Sequence, residues 1–252
     1  MTEELSNILE GKTTLIKNKQ YLSAKAYIEP FIKRMDEFKA TYNCQVKTPD
    51  QLSITDGKPD LVYNRVHIQA ILPEIYYNKF GCRKVVGMIY GLDVKTPIAK
   101  FYISNIDKNG NLIAFDPNAM LIQKLESATP IDFTGLKSLM ELTDNSEVML
   151  KQLQETFIDR NKFMGMLGEW IDIALEKSIV NDGGKVKLAT SLPVDVYKSI
   201  LKDKDSGYYI SETEQISMLD LYKTFASKIR EDDKDIINRF EKTLLVNKVL
   251  KI

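Results

Sequence analysis

Two hydrophobic periods take turns along the chain. In "EPFIKRMDEFKATY" (29–42), Phe31, Ile32, Met35, Phe38 and Tyr42 recur at helical spacing, which predicts one amphipathic helix. Pro30 fits the first turn of such a helix, where its missing N–H costs nothing. A connector rich in Pro, Gly and Asp follows at 48–60. The period then drops to two. In "VYNRVHIQAIL" (62–72), Val62, Val66, Ile68, Ala70 and Leu72 alternate with Tyr63, Arg65, His67, Gln69 and Ile71, which predicts a strand with one buried face. "KVVGMIYGL" (84–92) and "IAKFYISNI" (98–106) predict two more strands. Asn109-Gly110 predicts a type I′ hairpin, because both central positions of that turn need positive φ. "LIAF" (112–115) would then return antiparallel, and "AMLIQKLE" (119–126) would add a further strand.

Past residue 140 the helical period returns. Over 146–180 one stripe runs Leu150, Leu153, Phe157, Met164, Leu167, Ile171 and Leu175, and a second runs Phe163, Met166, Trp170 and Ile173. Together they predict one continuous helix, roughly 50 Å long, with a broad apolar face. "NDGG" (181–184) suits its C-terminal end. "PVDVYKSILK" (193–202) predicts a short helix. Ser211 and Glu214 have capping-box spacing and would open a helix over "QISMLDLYKTFASKI". A last helix is expected at about 234–250, burying Ile237, Phe240, Leu244 and Leu245.

The expected fold is therefore α+β: an N-terminal helical segment (1–49), a central antiparallel meander (50–126) and a helical C-terminal half (127–252). At 252 residues and 44% hydrophobic content, the chain can build one sizeable core or two small ones. Lys plus Arg total 35 and so do Asp plus Glu, which argues against a whole-molecule attraction to nucleic acid or anionic membrane. Charge is nevertheless uneven. Residues 61–110 hold seven Lys/Arg against three Asp/Glu, and residues 111–155 reverse the ratio. No apolar run is long enough to span a bilayer, and "MTEELSNILEGK" lacks the plan of a signal peptide. Cys44 and Cys82 suit a reducing compartment, and a protein neither secreted nor membrane-spanning is expected.

Several chemistries can be weighed residue by residue. "DKDSGYYISETE" (203–214) places Asp203, Asp205 and Glu214 at calcium-loop positions. Its position five is Gly207, which has no side-chain oxygen, and its position six is Tyr208 where a glycine is needed, so a polar turn is the preferred reading. "EGKTT" (10–14) lacks the glycine five residues earlier that a phosphate loop requires. His67 is the only histidine and lies on the polar side of its strand. No local nucleophile or carboxylate accompanies it, and a surface or subunit-contact role is expected. Asp232, Asp233 and Asp235 read as acids at the start of a helix, favoured by the dipole, rather than as a magnesium site. No catalytic residue, metal site or cofactor is expected.

Two binding surfaces are expected instead. Arg65, Tyr77, Lys79, Arg83, Lys84 and Tyr102 interleave bases with aromatics in the manner of single-stranded nucleic-acid contacts. Phe163, Met166 and Trp170 are expected at a subunit interface, with Leu153, Met164 and Leu167 in the core. "VYNRVHIQAIL…VVGMIYGLDV" and "LDLYKTFASKI…INRFEKTLLVNKVL" together resemble proteins of tailed bacteriophages, gut phages of Bacteroidetes among them. They also resemble a phage/plasmid-like domain of unknown function with the same order, β-rich half before helical half. The resemblance covers about half the chain and includes no catalytic motif. It implies a non-enzymatic phage protein that assembles with itself and with other phage proteins. The alternative is an accessory single-stranded nucleic-acid-binding protein of phage replication or recombination, with single-stranded DNA as the partner.

Overall fold

The computed structural model describes residues 14–16, 19–21, 24–47, 62–73, 79–93, 98–113, 120–124, 143–166, 168–169, 204, 211, 214–232, 239, 242–244, 246–247 and 250. The protein is α+β. Its strands are β1 (Thr14–Ile16), β2 (Lys19–Tyr21), β3 (Thr41–Lys47), β4 (Val62–Ile71), β5 (Cys82–Asp93), β6 (Ile98–Asp107), β7 (Leu112–Ile113), β8 (Met120–Lys124), β9 (Phe157–Ile158) and β10 (Ile216–Ser217). Its helices are α1 (Ala24–Asp36), α2 (Thr143–Glu155) and α3 (Met218–Asp232). Two compact units form, one from residues 1–109 and 115–146, the other from 110–114 and 147–252.

In the first unit, β3, β4, β5, β6 and β8 form an antiparallel sheet in that spatial order. α1 covers one face of it. Tyr27, Ile28, Phe31 and Met35 of α1 pack with Val66, Ile68, Ala70, Val86, Met88, Tyr90, Ala99, Phe101 and Ile103 from the strands. Tyr27 meets Tyr90 with ring centroids 5.5 Å apart, and Phe31 meets Phe101 at 6.0 Å. Helix and sheet thus share a core, and α1 is not a segment apart. The 1–49 stretch is also less helical than expected, because it holds the β1–β2 hairpin and β3.

α1 starts and stops earlier than the apolar spacing predicts. Pro30 lies in its interior, on the exposed side, where the carbonyl one turn back has no N–H to accept. The helix closes in a Schellman arrangement. Ala40 N–H reaches Met35 O at 3.3 Å, Lys39 N–H reaches Asp36 O at 2.9 Å, and Lys39 takes the left-handed position with φ 56°. Glycine is the usual residue there, and without that signal the pattern read on into Tyr42. Tyr42 instead belongs to β3, and its hydroxyl donates back across the turn to Asp36 Oδ1 at 2.6 Å.

The central strands fall where the two-residue period puts them. β4, however, is buried on both faces from Val66 to Ile71, not on one. The turn after β6 is not type I′. Gly110 has φ 82°, Asn109 does not have positive φ, and Asn109 N–H is held by Asp107 Oδ1 at 2.8 Å. Of the expected return strand, Leu112–Ile113 is β.

The second unit overturns the single long helix. α2 ends at Glu155, and Thr156 turns its hydroxyl back onto Gln152 O at 2.7 Å. Phe157 and Ile158 leave the helix as β9 and pair antiparallel with Ser217 and Ile216 of β10. Met218 N–H then donates to Thr156 O at 2.8 Å. Asp159 caps a new helical stretch, 160–166, accepting from Lys162 N–H at 2.8 Å. The α3 start also moves. Ser217, not Ser211, is its N-cap, taking Asp220 N–H on Oγ at 3.1 Å and donating to Asp220 Oδ2 at 2.7 Å. Ser211 and Glu214 close a turn of their own, with Ser211 N–H on Glu214 Oε2 at 3.0 Å. Those hydrogen bonds from Ser211 hold the exposed Glu214 carboxyl below its ordinary range. Asp232 closes α3 and does not open a helix, so the dipole does not favour it. Near the C-terminus Val246 and Leu250 are buried and Leu244 is half-buried. Ile237, Phe240, Leu245, Asp203, Asp205, Asp233, Asp235 and the loop "EGKT" lie outside the described residues.

Candidate functional site

The most developed polar site lies on the sheet face opposite α1. Register places Gln69, Gly87 and Tyr102 in one row across β4, β5 and β6, with His67, Ile89 and Lys100 in the next. Tyr102 has to cross β5 to reach β4, and Gly87 lets it do so. A Cβ built on Gly87 would sit 1.9 Å from the Tyr102 ring carbon Cζ, so any side chain there would occupy the ring's place. The Tyr102 hydroxyl then lies 2.7 Å from His67 Nε2 and accepts from Gln69 Nε2 at 3.4 Å. The two rings meet edge to face, 5.7 Å between centroids. With Gln69 supplying an N–H, the hydroxyl donates to His67 Nε2 or accepts from it according to the imidazole tautomer.

Burial sets the chemistry of this group. Burial pushes the Tyr102 phenol well above its ordinary value, and the Gln69 N–H opposes that only in part. The hydroxyl therefore keeps its proton far above neutral pH and acts as a hydrogen-bond donor and acceptor, not as a phenolate. His67, expected at the surface or at a subunit contact, is fully buried. Its role here is to hold Tyr102 across the sheet. Gln69 and Gly87 complete the arrangement, and neither stands out in the sequence. The available signal was a glycine in the middle of a strand whose flanking strands both carry large polar residues.

A second buried polar group lies at the far end of the α1-facing side. Register pairs Cys82 with Asp107 and Lys84 with Asn105. All four are buried, and Cys82 Sγ lies 3.7 Å from Phe80 O. Neither thiol, Cys44 nor Cys82, is in a disulfide.

Of the expected nucleic-acid contacts, two that the structure describes are enclosed. Tyr102 is 1% exposed and Lys84 8%, so the first is held inside the sheet and the second has its stem enclosed. Lys79 is exposed and lies over the half-buried Phe80 ring, 5.3 Å from its centroid, with the half-buried Arg83 nearby in sequence. Arg65 sits at the register position between Lys47 and Gly91. Tyr77 lies outside the described residues.

Of the residues assigned to the expected interface and core, Phe163 and Met164 change places. Phe163 is 1% exposed and meets Phe225 of α3 edge-on, 6.4 Å between centroids, inside the second unit. Met164, expected in the core, is 41% exposed. The exchange follows from the helix break, because Asp159 restarts the helical phase after β9 and the stripes no longer run through. Met166 is half-buried, Leu153 is buried, and Leu167 and Trp170 lie outside the described residues. Val148 and Phe157, each 55% exposed, join Met164 as large apolar side chains at the surface of this unit.

Among the described residues, no three His, Cys, Asp or Glu side chains gather where they could hold a metal ion, and no helix is long and apolar enough to cross a membrane. Compared with protein-family models, curated proteins and solved structures, the chain has no match.

Proposed function

We propose that the protein is a non-enzymatic assembly subunit of bacteriophage type that works through contacts with copies of itself and with other phage proteins. The observation that carries this reading is the group of exposed apolar side chains on the second unit. Val148, Phe157 and Met164 face water, while Leu150, Leu153, Ile158 and Phe163, interspersed with them in sequence, are buried. Large apolar groups concentrated in one short stretch favour protein contact. The balanced charge of 35 against 35 favours it over a phosphate backbone. The bacteriophage part rests on the resemblance of the two stretches quoted above. The nucleic-acid alternative loses Tyr102 and Lys84 to the interior and keeps Lys79 and Arg83.

The test is the mass in solution across a range of concentrations, with and without a single-stranded DNA oligomer. The expected result is a concentration-dependent oligomer that Phe157→Asp and Met164→Asp weaken without lowering the melting temperature. A monomer at every concentration that shifts the oligomer in a salt-dependent way would replace this reading with the alternative.

A further inference from the structure

The turn between β6 and β7 carries Asn109-Gly110, the one Asn-Gly sequence in the chain. Asparagine is a chemically labile residue, and it is most labile before glycine. The backbone nitrogen of the following residue can attack the side-chain carbonyl carbon, and a side chain on that residue would obstruct the approach. In a folded protein three conditions decide whether the pair reacts. The asparagine must be open to water, its carboxamide must not be tied down, and the backbone must be able to swing into the attacking geometry.

This turn meets all three. Lys108, Asn109 and Gly110 are exposed in succession. Among the described residues the Asn109 carboxamide makes no hydrogen bond, and the residue is held only by its backbone N–H, which donates to Asp107 Oδ1 at 2.8 Å. Gly110 has φ 82°, and a Cβ built on it would meet nothing within 4 Å. The space around the glycine is open, and glycine moves between backbone conformations that other residues avoid. An exposed turn with so few contacts opens locally at little free energy. The neighbouring asparagines supply the contrast. Asn105 is buried in β6 and precedes Ile106. Asn111 is 3% exposed, donates from Nδ2 to Ser227 Oγ at 3.2 Å and precedes Leu112.

We infer that Asn109 is a site of spontaneous modification, at which the folded protein acquires a negative charge as it ages. The Gly110 nitrogen bonds to Asn109 Cγ, the Cγ–Nδ2 bond breaks, and ammonia leaves with the proton that the Gly110 nitrogen gives up. Solvent water then opens the cyclic imide at one of its two carbonyls. Opening at the side-chain carbonyl restores the ordinary backbone and leaves aspartate. Opening at the backbone carbonyl leaves isoaspartate, whose main chain is longer by a methylene. Water is consumed, ammonia is released, and no oxidant or cofactor takes part. Either product puts a carboxylate into the turn that Asp107 already closes, at the point where the chain passes from the first unit to the second. The balance of 35 cationic against 35 acidic residues then tips to a net negative charge. This inference stands apart from the assembly reading.

The test is to age the purified full chain in mildly alkaline buffer, folded and in urea. Samples are digested with pepsin in acid, where imide formation stalls, and mapped by mass spectrometry. In the folded chain Asn109 should change from amide to carboxyl at a rate within a few-fold of that in urea, while Asn105 and Asn111 stay intact. The peptide that holds residue 109 should become a substrate for an isoaspartate methyltransferase. Hydroxylamine, which captures the imide, should cleave the folded chain between residues 109 and 110. Asn109→Gln, at an exposed position that spares the fold, should abolish both the methylation of this peptide and the cleavage. An Asn109 that converts in urea and keeps its amide in the folded chain would overturn the inference, because the turn would then hold the pair out of reach. Conversion of Asn105 or Asn111 as fast as Asn109 in the folded chain would overturn it as well.

Discussion

Phe101 and Tyr102 are neighbours on β6, both buried, and they point to opposite faces of the same sheet. Phe101 joins the apolar layer under α1, its ring tilted against that of Phe31. Tyr102 lies across Gly87 and ends on His67 and Gln69. The first face is held by area removed from water and tolerates changes of shape that keep volume. The second is held by hydrogen bonds whose partners must all be present. Equal burial therefore means different sensitivity. The apolar face should respond to size and the polar face to single atoms.

The largest expected effect breaks the apolar face. Phe101→Ala should cost about 3–5 kcal/mol, read as a fall in the urea midpoint with an unchanged slope. A cost under about 1 kcal/mol would place Phe101 outside the core. Next comes Gly87→Ala, where one methyl must displace the Tyr102 ring, at about 1–3 kcal/mol. In a Tyr102→Ala background the same change should cost almost nothing, because the clash is gone. An additive double mutant would show that the ring does not lie over Gly87.

Tyr102→Phe keeps the ring and removes one oxygen, and should cost about 1–2 kcal/mol by leaving His67 and Gln69 without it. Its pH dependence follows from linkage. The folded phenol titrates above the unfolded value of about 10, so the unfolded chain releases its proton first as pH rises. Stability should be flat with respect to this group below about pH 10 and fall above it, and Tyr102→Phe should make that fall shallower. A fall of the same steepness in the variant would assign it to other groups. The smallest effect sharpens the contrast from the other side. Tyr90 is buried on the apolar face and, among the described residues, its hydroxyl has no hydrogen-bond partner. Tyr90→Phe should be neutral or stabilise slightly, by up to about 1 kcal/mol, where Tyr102→Phe destabilises. A clear loss of melting temperature would give that hydroxyl a role on its own face.

The same contrast shows what the sequence could say. The two-residue period located β4, β5, β6 and β8 because alternation is a direct consequence of the pleat. It separated Val66, Ile68 and Ala70 from His67 and Gln69 correctly. It could not say that the polar side is also enclosed, since alternation distinguishes two faces without revealing what covers either. Helical spacing was less informative still. Phe157 and Met164 continued the stripe of Leu150 and Leu153 on paper, yet Thr156 and Asp159 stop one helix and start another. A four-residue break shifts phase enough to exchange Phe163 and Met164. Ser211 offered a better written cap than Ser217, and the fold used Ser217 because β10 delivers the chain to α3 there.

The hydrogen bond from Met218 N–H to Thr156 O, beside the two-residue pairing of β9 with β10, has a kinetic meaning. It fastens the end of one helix to the start of another across roughly sixty residues of chain, and closing so long a loop carries an entropic cost on the order of 4 kcal/mol before any contact is gained. β5 and β6, by contrast, are joined by a short connection and can zip locally. The sheet should therefore assemble early and this clasp late, and the Met218 amide should exchange with solvent long before the amides of β5.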